Sequence, residues 1–196
     1  MHNPPSTPDT VHTPFYCEEN IYLLCEAFVL QQEEVSAVFI SNEQKTVALW
    51  NQKLNDESVV VWDYHVFLLL RSRGQQHWIY DFDSRLPFPC LMRDYLRHTF
   101  KENVAEPYRS LFRIVPGSTF VEHFASDRSH MLVEAGEYDA QNVAPKRYRS
   151  PPPSHPPIRG RNATTGNNLM ESFVGMASSA FGKVLDLQGV VRLAEE

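Results

Sequence analysis

Residues 59–70 (VVVWDYHVFLLL) and 77–83 (HWIYDFD) are two β-branched and aromatic runs separated by six polar residues with one glycine. That pattern predicts an antiparallel hairpin, because each run must pair its backbone and the short polar connection leaves only its neighbour close by. A turn centred on residue 73, beside Gly74, sets His65 opposite Asp81. Residues facing each other across a hairpin have Cβ atoms about 5 Å apart, so imidazole and carboxylate share one face. A histidine among such apolar neighbours must bond its second nitrogen or lose about 1–3 kcal/mol. The pair reads either as a structural His–Asp contact or as the base and orienting acid of a catalytic site. Asp83 and Asp63 fall on the same face, and Asp81 is favoured by register alone.

Upstream, Cys17, Ile21, Leu24, Cys25 and Phe28 form one apolar stripe, which predicts a helix from about Glu18 to Gln32. Ser36–Ser41 reads as a strand with Thr46–Trp50 as its hairpin partner. Leu86-Pro-Phe-Pro-Cys90 reads as extended chain, because alternate prolines exclude helix and sheet interior. A second helix is expected over Leu91–Val104 with Met92, Tyr95 and Leu96 inward, then a strand over Ser110–Val115. A short helix from Ser118, capped by that serine, follows. Residues 1–14 hold four prolines and read as a mobile tail. Residues 15–196 read as one domain carrying a Pro-rich surface loop at about 132–168. The end of the chain shows a helical piece and a strand-like Lys183–Leu187.

At 196 residues, 42% hydrophobic and 21% charged, the chain can bury a sizeable core. A net charge of −6 argues against nucleic acid or an anionic membrane as partner. No run of about 18 apolar residues suggests a membrane span. Three cysteines and no apolar signal segment predict a reducing compartment, the cytosol with the nucleus as the further option.

Cys17 opens the first helix, where unpaired backbone N–H groups lower a thiol's pKa. Glu18 and Glu19 oppose that effect, so a protonated histidine partner is required as well. The plain alternative is a small core residue, which is how Cys25 and Cys90 read. His65, His77, Asp81 and Asp83 together admit a divalent ion, but their spacing matches no strong ligand motif. Asp127-Arg-Ser-His130 reads as a capped helix end with a surface ion pair, or as a loop lining a cleft.

Six segments in order, Tyr16-Cys-Glu-Glu-Asn-Ile, Ala37-Val-Phe-Ile-Ser-Asn-Glu, Val61-Trp-Asp-Tyr-His-Val, Ile79-Tyr-Asp-Phe-Asp, Leu86-Pro-Phe-Pro-Cys and Phe124-Ala-Ser-Asp-Arg-Ser-His-Met, resemble the eukaryotic protein N-terminal glutamine amidohydrolase family over roughly residues 15–190. The resemblance implies an α/β fold: an α-β-α sandwich with a mainly antiparallel sheet and a papain/transglutaminase-like thiol hydrolase core. It implies a Cys17–His65–Asp81 triad; thiol chemistry of that kind needs no cofactor, no metal is expected from the ligand spacing, and a monomer is the default expectation. It also implies that an N-terminal glutamine of a protein or peptide is converted to glutamate within the N-degron degradation pathway. Terminal specificity calls for a carboxylate that meets the α-ammonium, with Glu18, Glu19, Asp63, Asp83 and Asp127 as candidates. The chain departs from the family at Ala180-Phe-Gly-Lys, where a Trp-Gly pair is expected. Two rival functions remain: a thiol enzyme acting on another amide, and an adaptor that binds peptides without turnover.

Overall fold

The computed structural model describes residue 4 and residues 6–55, 58–72, 76–134 and 146–195. Its centre is a six-stranded sheet in the order β10 (Lys183–Asp186), β7 (Leu111–Pro116), β1 (Glu34–Ser41), β4 (His65–Arg71), β5 (His77–Tyr80), β6 (Cys90–Leu91). Every neighbouring pair in it is antiparallel. Two short pairs stand apart: β2 (Val47–Leu49) with β3 (Val60–Trp62), and β8 (Leu132–Glu134) with β9 (Lys146–Tyr148).

Both faces of the sheet are covered. The stripe predicted on the first helix is realised in α1 (Cys17–Leu30), whose Ile21, Leu24, Cys25 and Phe28 are fully buried. On that face α1 joins α3 (Gly117–His123) and a π-helical turn over Leu169–Val174. Phe120 meets Tyr22, Phe39, Phe124 and Phe173 there, and each fully buried ring contributes roughly 1.5–3 kcal/mol. Phe181, in the segment where a Trp-Gly pair was expected, stacks on Phe173 at 5.0 Å. Gly182 follows at φ +68°, and a Cβ there would stand 2.2 Å from the Ile114 carbonyl oxygen, so glycine is required. The opposite face carries α2 (Met92–Thr99) and α4 (Leu187–Leu193) over Val38, Phe67 and Ile79.

Several expectations are corrected. β1 already has β4 on one edge and β7 on the other, so Val47–Leu49 cannot be its hairpin partner and pairs with β3 instead. The run 59–70 is two strands, not one. Asp63 breaks it by accepting the Tyr64 amide on Oδ1 at 2.9 Å, while Ser41 Oγ holds the Asp63 carbonyl at 2.7 Å. The second helix stops at Thr99, five residues early. Asn51 Nδ2 and the Trp50 amide take the His98 and Thr99 carbonyls, and Phe100 turns extended to pack on Phe112. Ser118 lies inside α3, and Pro116 precedes the helix without a side-chain cap. The tail is tied down at its end: Asn20 clamps the Thr13 backbone through both amide atoms, and His12 stacks on Phe82. Of the Pro-rich segment, residues 135–145 lie outside the described residues. The rest forms β8, β9 and an extended stretch whose Pro153, His155 and Pro156 carbonyls accept from Arg128.

The hairpin itself forms, but its register is shifted by two residues. Leu68 lies opposite Tyr80 and Arg71 opposite His77. A shift of two keeps every side chain on its predicted face, because the pleat repeats every two residues. His65 and Asp81 are therefore diagonal neighbours, with Asp81 one residue beyond the end of β5.

Candidate active site

His65 is the first residue of β4 and is fully buried. Its Nε2 meets Asp81 Oδ1 at 2.9 Å, and the Trp62 indole stacks on the ring at 5.5 Å. A carboxylate can only accept, so Nε2 carries the proton and Nδ1 presents its lone pair. Nδ1 is buried and has no hydrogen-bond partner among the described residues. Asp81 is held by two further donors: the Asp83 amide at 2.9 Å on Oδ1 and the Tyr95 hydroxyl at 2.8 Å on Oδ2. Burial alone would raise the Asp81 pKa, but His65, Tyr95 and the Asp83 amide hold it below the ordinary carboxylate range. Burial likewise presses the His65 pKa down, and the Asp81 charge outweighs it, leaving imidazole a stronger base than usual.

Cys17 opens α1, and the Val66 backbone N–H, next along the chain from His65, acts on it to lower its pKa. Sγ also lies 3.7 Å from Glu18 Oε2. The helix start does not make it a thiolate. Burial first, then the charges of Glu18 and Asp83, push its pKa well above the usual thiol value. At rest Cys17 is therefore a thiol, which reacts as a nucleophile only where a base removes its proton.

In front of the sulfur is a cleft of about 400 Å³ bordered by Cys17, Trp62, Asp63, Tyr64, Asp83 and His130. Its floor is a hydrogen-bonded chain. The Tyr64 hydroxyl donates to Glu18 Oε2 at 2.9 Å and lies 3.2 Å from His130 Nε2, which is 3.3 Å from Glu18 Oε1. Sequence reasoning missed Tyr64, Tyr95 and Trp62 as parts of this site. Tyr95 carried only the signal of an inward position on its helix, and Tyr64 and Trp62 only their adjacency to His65.

The profile of the N-terminal glutamine amidase family matches residues 12–194. The chain belongs to that family. Protein N-terminal glutamine amidohydrolase of Homo sapiens is 38% identical over 188 residues, covering 90% of this chain and 84% of that protein. The same-named proteins of Danio rerio and Bos taurus are 42% identical over 159 residues and 39% over 187. The Danio rerio match covers 78% of this chain and 74% of that protein, the Bos taurus match 89% and 83%.

In this member of the amidase family the five candidate carboxylates have different fates. Glu19 is buried in a two-pronged pair with Arg128, at 2.8 Å on both oxygens, with His155 Nε2 at 3.6 Å. Arg128 holds a left-handed conformation at φ 63° to reach it. The Asp127–His130 cluster is thus a buried ion pair beside a cleft-lining histidine, not a surface pair. Asp127 is exposed and closes its own loop, accepting from the Ser129 amide and Asn167 Nδ2, and it does not border the cleft. Glu18 is fully buried under Tyr64 and Cys17. Asp63 and Asp83 border the cleft. His65, Asp81 and Asp83 place one ligand atom each within 4.8 Å of one another, but both Asp81 oxygens already accept hydrogen bonds. His77 lies at the far end of β5, where it accepts from Arg71 Nε at 3.1 Å.

Proposed function

We propose that this protein hydrolyses the side-chain carboxamide of an N-terminal glutamine to glutamate and ammonia, with Cys17 as nucleophile, His65 as base and acid, and Asp81 orienting the imidazole. The observation that carries the reading is His65: one nitrogen committed to Asp81, the other buried, unpartnered and one residue from the backbone N–H that acts on the Cys17 thiol. In this reading His65 Nδ1 takes the thiol proton as the sulfur attacks the carboxamide carbon. Negative charge on the former carbonyl oxygen is met by backbone N–H groups, including that of Cys17 at the helix start. The imidazolium, stabilised by Asp81, passes its proton to the departing ammonia, and a thioester remains. Water activated by the same nitrogen then releases glutamate and restores the thiol. The raised pKa of the thiol favours this order, in which ionisation accompanies attack, over a standing thiolate–imidazolium pair.

The same arrangement underlies our assignment of the core to the papain/transglutaminase-like thiol hydrolases: a cysteine on a helix start against a histidine opening an adjacent strand. Three free cysteines fit a reducing compartment, so we assign the protein to the cytosol or nucleus as a monomer acting ahead of N-degron recognition.

Mass spectrometry of a Gln-starting peptide, beside the same peptide acetylated at its terminus, tests the reading. Deamidation of the free peptide only, lost in Cys17→Ala, is the expected result. Reaction of both peptides would replace it with a broader amidase, and no reaction by folded, reduced protein would leave the peptide-binding adaptor.

A further inference from the structure

The terminal-glutamine reading requires a group for the α-ammonium, and the side chains around the cleft narrow it to one. In glutamine the α-nitrogen is four bonds from the carboxamide carbon, a span of roughly 5 Å when extended. With the carboxamide against Cys17, the ammonium must therefore meet the wall of the same cleft. Glu19 is already neutralised by Arg128, and Asp127 lies outside the cleft with its carboxylate engaged. Glu18 is sealed beneath Tyr64 and the thiol, with no exposed surface. Asp63 stands exposed at the rim with one oxygen committed to the Tyr64 amide. A carboxylate in water gains little from one more cation.

Asp83 differs from all of these. Its side chain borders the cleft with Cys17, is largely withdrawn from water, and accepts no hydrogen bond among the described residues. The nearby basic groups are directed elsewhere: His65, within 4.8 Å, gives its Nε2 to Asp81, Lys53 Nζ donates to the Phe82 carbonyl at 2.7 Å, and His12 stacks on the Phe82 ring. Burial, helped by the Asp81 charge, holds its pKa above the ordinary carboxylate range against the pull of His65, His12 and Lys53. Its position is fixed from behind, since its own amide bonds Asp81 and its carbonyl accepts the Lys53 amide at 2.7 Å.

We propose that Asp83 is the carboxylate that receives the α-ammonium of the substrate's terminal glutamine. This deepens the function proposed above and rests on it. The two adjacent acids divide the labour: Asp81 orients the base, and Asp83, on the same face two residues on, reads the chain terminus. Discrimination then has a repulsive side. An internal glutamine, or an acetylated one, brings an uncharged amide against a carboxylate that loses its remaining water with no cation in return.

The test compares kcat/KM for a Gln-starting peptide with that for its des-amino counterpart, whose first residue lacks only the α-amino group. Removing one partner of a buried charge pair weakens binding roughly 100-fold or more. Asp83→Asn is therefore expected to fall about 100-fold further on the free-amine peptide than on the des-amino one, which reports only the loss of the Asp83 charge from beside Cys17. Asp83→Glu, which keeps the charge, should restore part of the preference and covers the case in which the asparagine variant does not fold. An equal fall on both substrates would overturn the proposal and make Asp83 a support of the triad. A preserved ratio in Asp83→Asn, with collapse in Asp63→Asn, would move the ammonium to the rim. Failure of the wild-type protein to deamidate the Gln peptide, or activity in Cys17→Ala, would instead defeat the reading on which the proposal rests.

Discussion

Tyr95→Phe removes a single oxygen and tests how Asp81, the acid paired with His65, is held. The ring is fully buried and would keep its contacts with Phe67 at 5.0 Å and Phe100 at 6.1 Å. What disappears is the hydroxyl that donates to Asp81 Oδ2 at 2.8 Å, the one hydrogen bond to that oxygen among the described residues. A hydrogen bond to a buried charged group contributes about 1.5–3 kcal/mol. At about 2–4 °C per kcal/mol for a domain of this size, the melting temperature should fall by about 3–12 °C. The loss depends on pH with a definite sign. Asp81 has a depressed pKa in the folded state, so its contribution is present above its unfolded value near 3.9 and lost as pH falls through the folded one. The deficit of the variant should be constant between pH 6 and 8 and shrink below about pH 4. Tyr95 does not border the cleft, so kcat on a Gln-starting peptide should drop about 10-fold while KM stays within about 2-fold. Thermal unfolding at several pH values and steady-state deamidation kinetics supply the readings. A melting point within about 1 °C of wild type, with unchanged kcat, would refute the claim that this hydroxyl secures Asp81.

His65 predicts a second pH effect. Its pKa is raised on folding, so its contribution is complete below the unfolded value near 6.5 and lost as pH rises through the folded one. Urea unfolding of reduced protein should show stability declining from pH 6.5 towards 8, and Asp81→Asn should flatten that decline while lowering kcat by about 10³–10⁴. A flat wild-type profile would contradict the pairing. Glu19→Ala strands the Arg128 guanidinium in a nearly water-free site and should cost about 3–5 kcal/mol, with Arg128→Met in the same chain recovering part of it. A single-variant cost below about 1 kcal/mol would mean that the pair carries no structural weight.

Much of the site was legible from local pattern. The apolar stripe Ile21, Leu24, Cys25, Phe28 determines α1 and puts Cys17 at its start, since a 3.6-residue period has one face to bury. The two strand runs around Gly74 determine a hairpin, and their two-residue period sets His65 and Asp81 on a common face. The same period explains what the chain alone left open. A shift of two residues changes no side chain's face, so the pattern is blind to it, and β5 slid two residues from the expected register. The partner of Thr46–Trp50 was equally invisible, because it depended on β7, about seventy residues on, taking the second edge of β1. Charge was decided in three dimensions as well. Glu18 and Glu19 are adjacent and chemically alike, yet one supports Tyr64 and the thiol while the other neutralises an arginine more than a hundred residues away. The helix start alone predicts a more acidic Cys17, and burial beside Glu18 and Asp83 reverses it. Desolvation and long-range pairing act through space, so only the folded chain fixes which acid bonds His65, which one neutralises Arg128, and which faces the cleft with its carboxylate free of hydrogen bonds among the described residues.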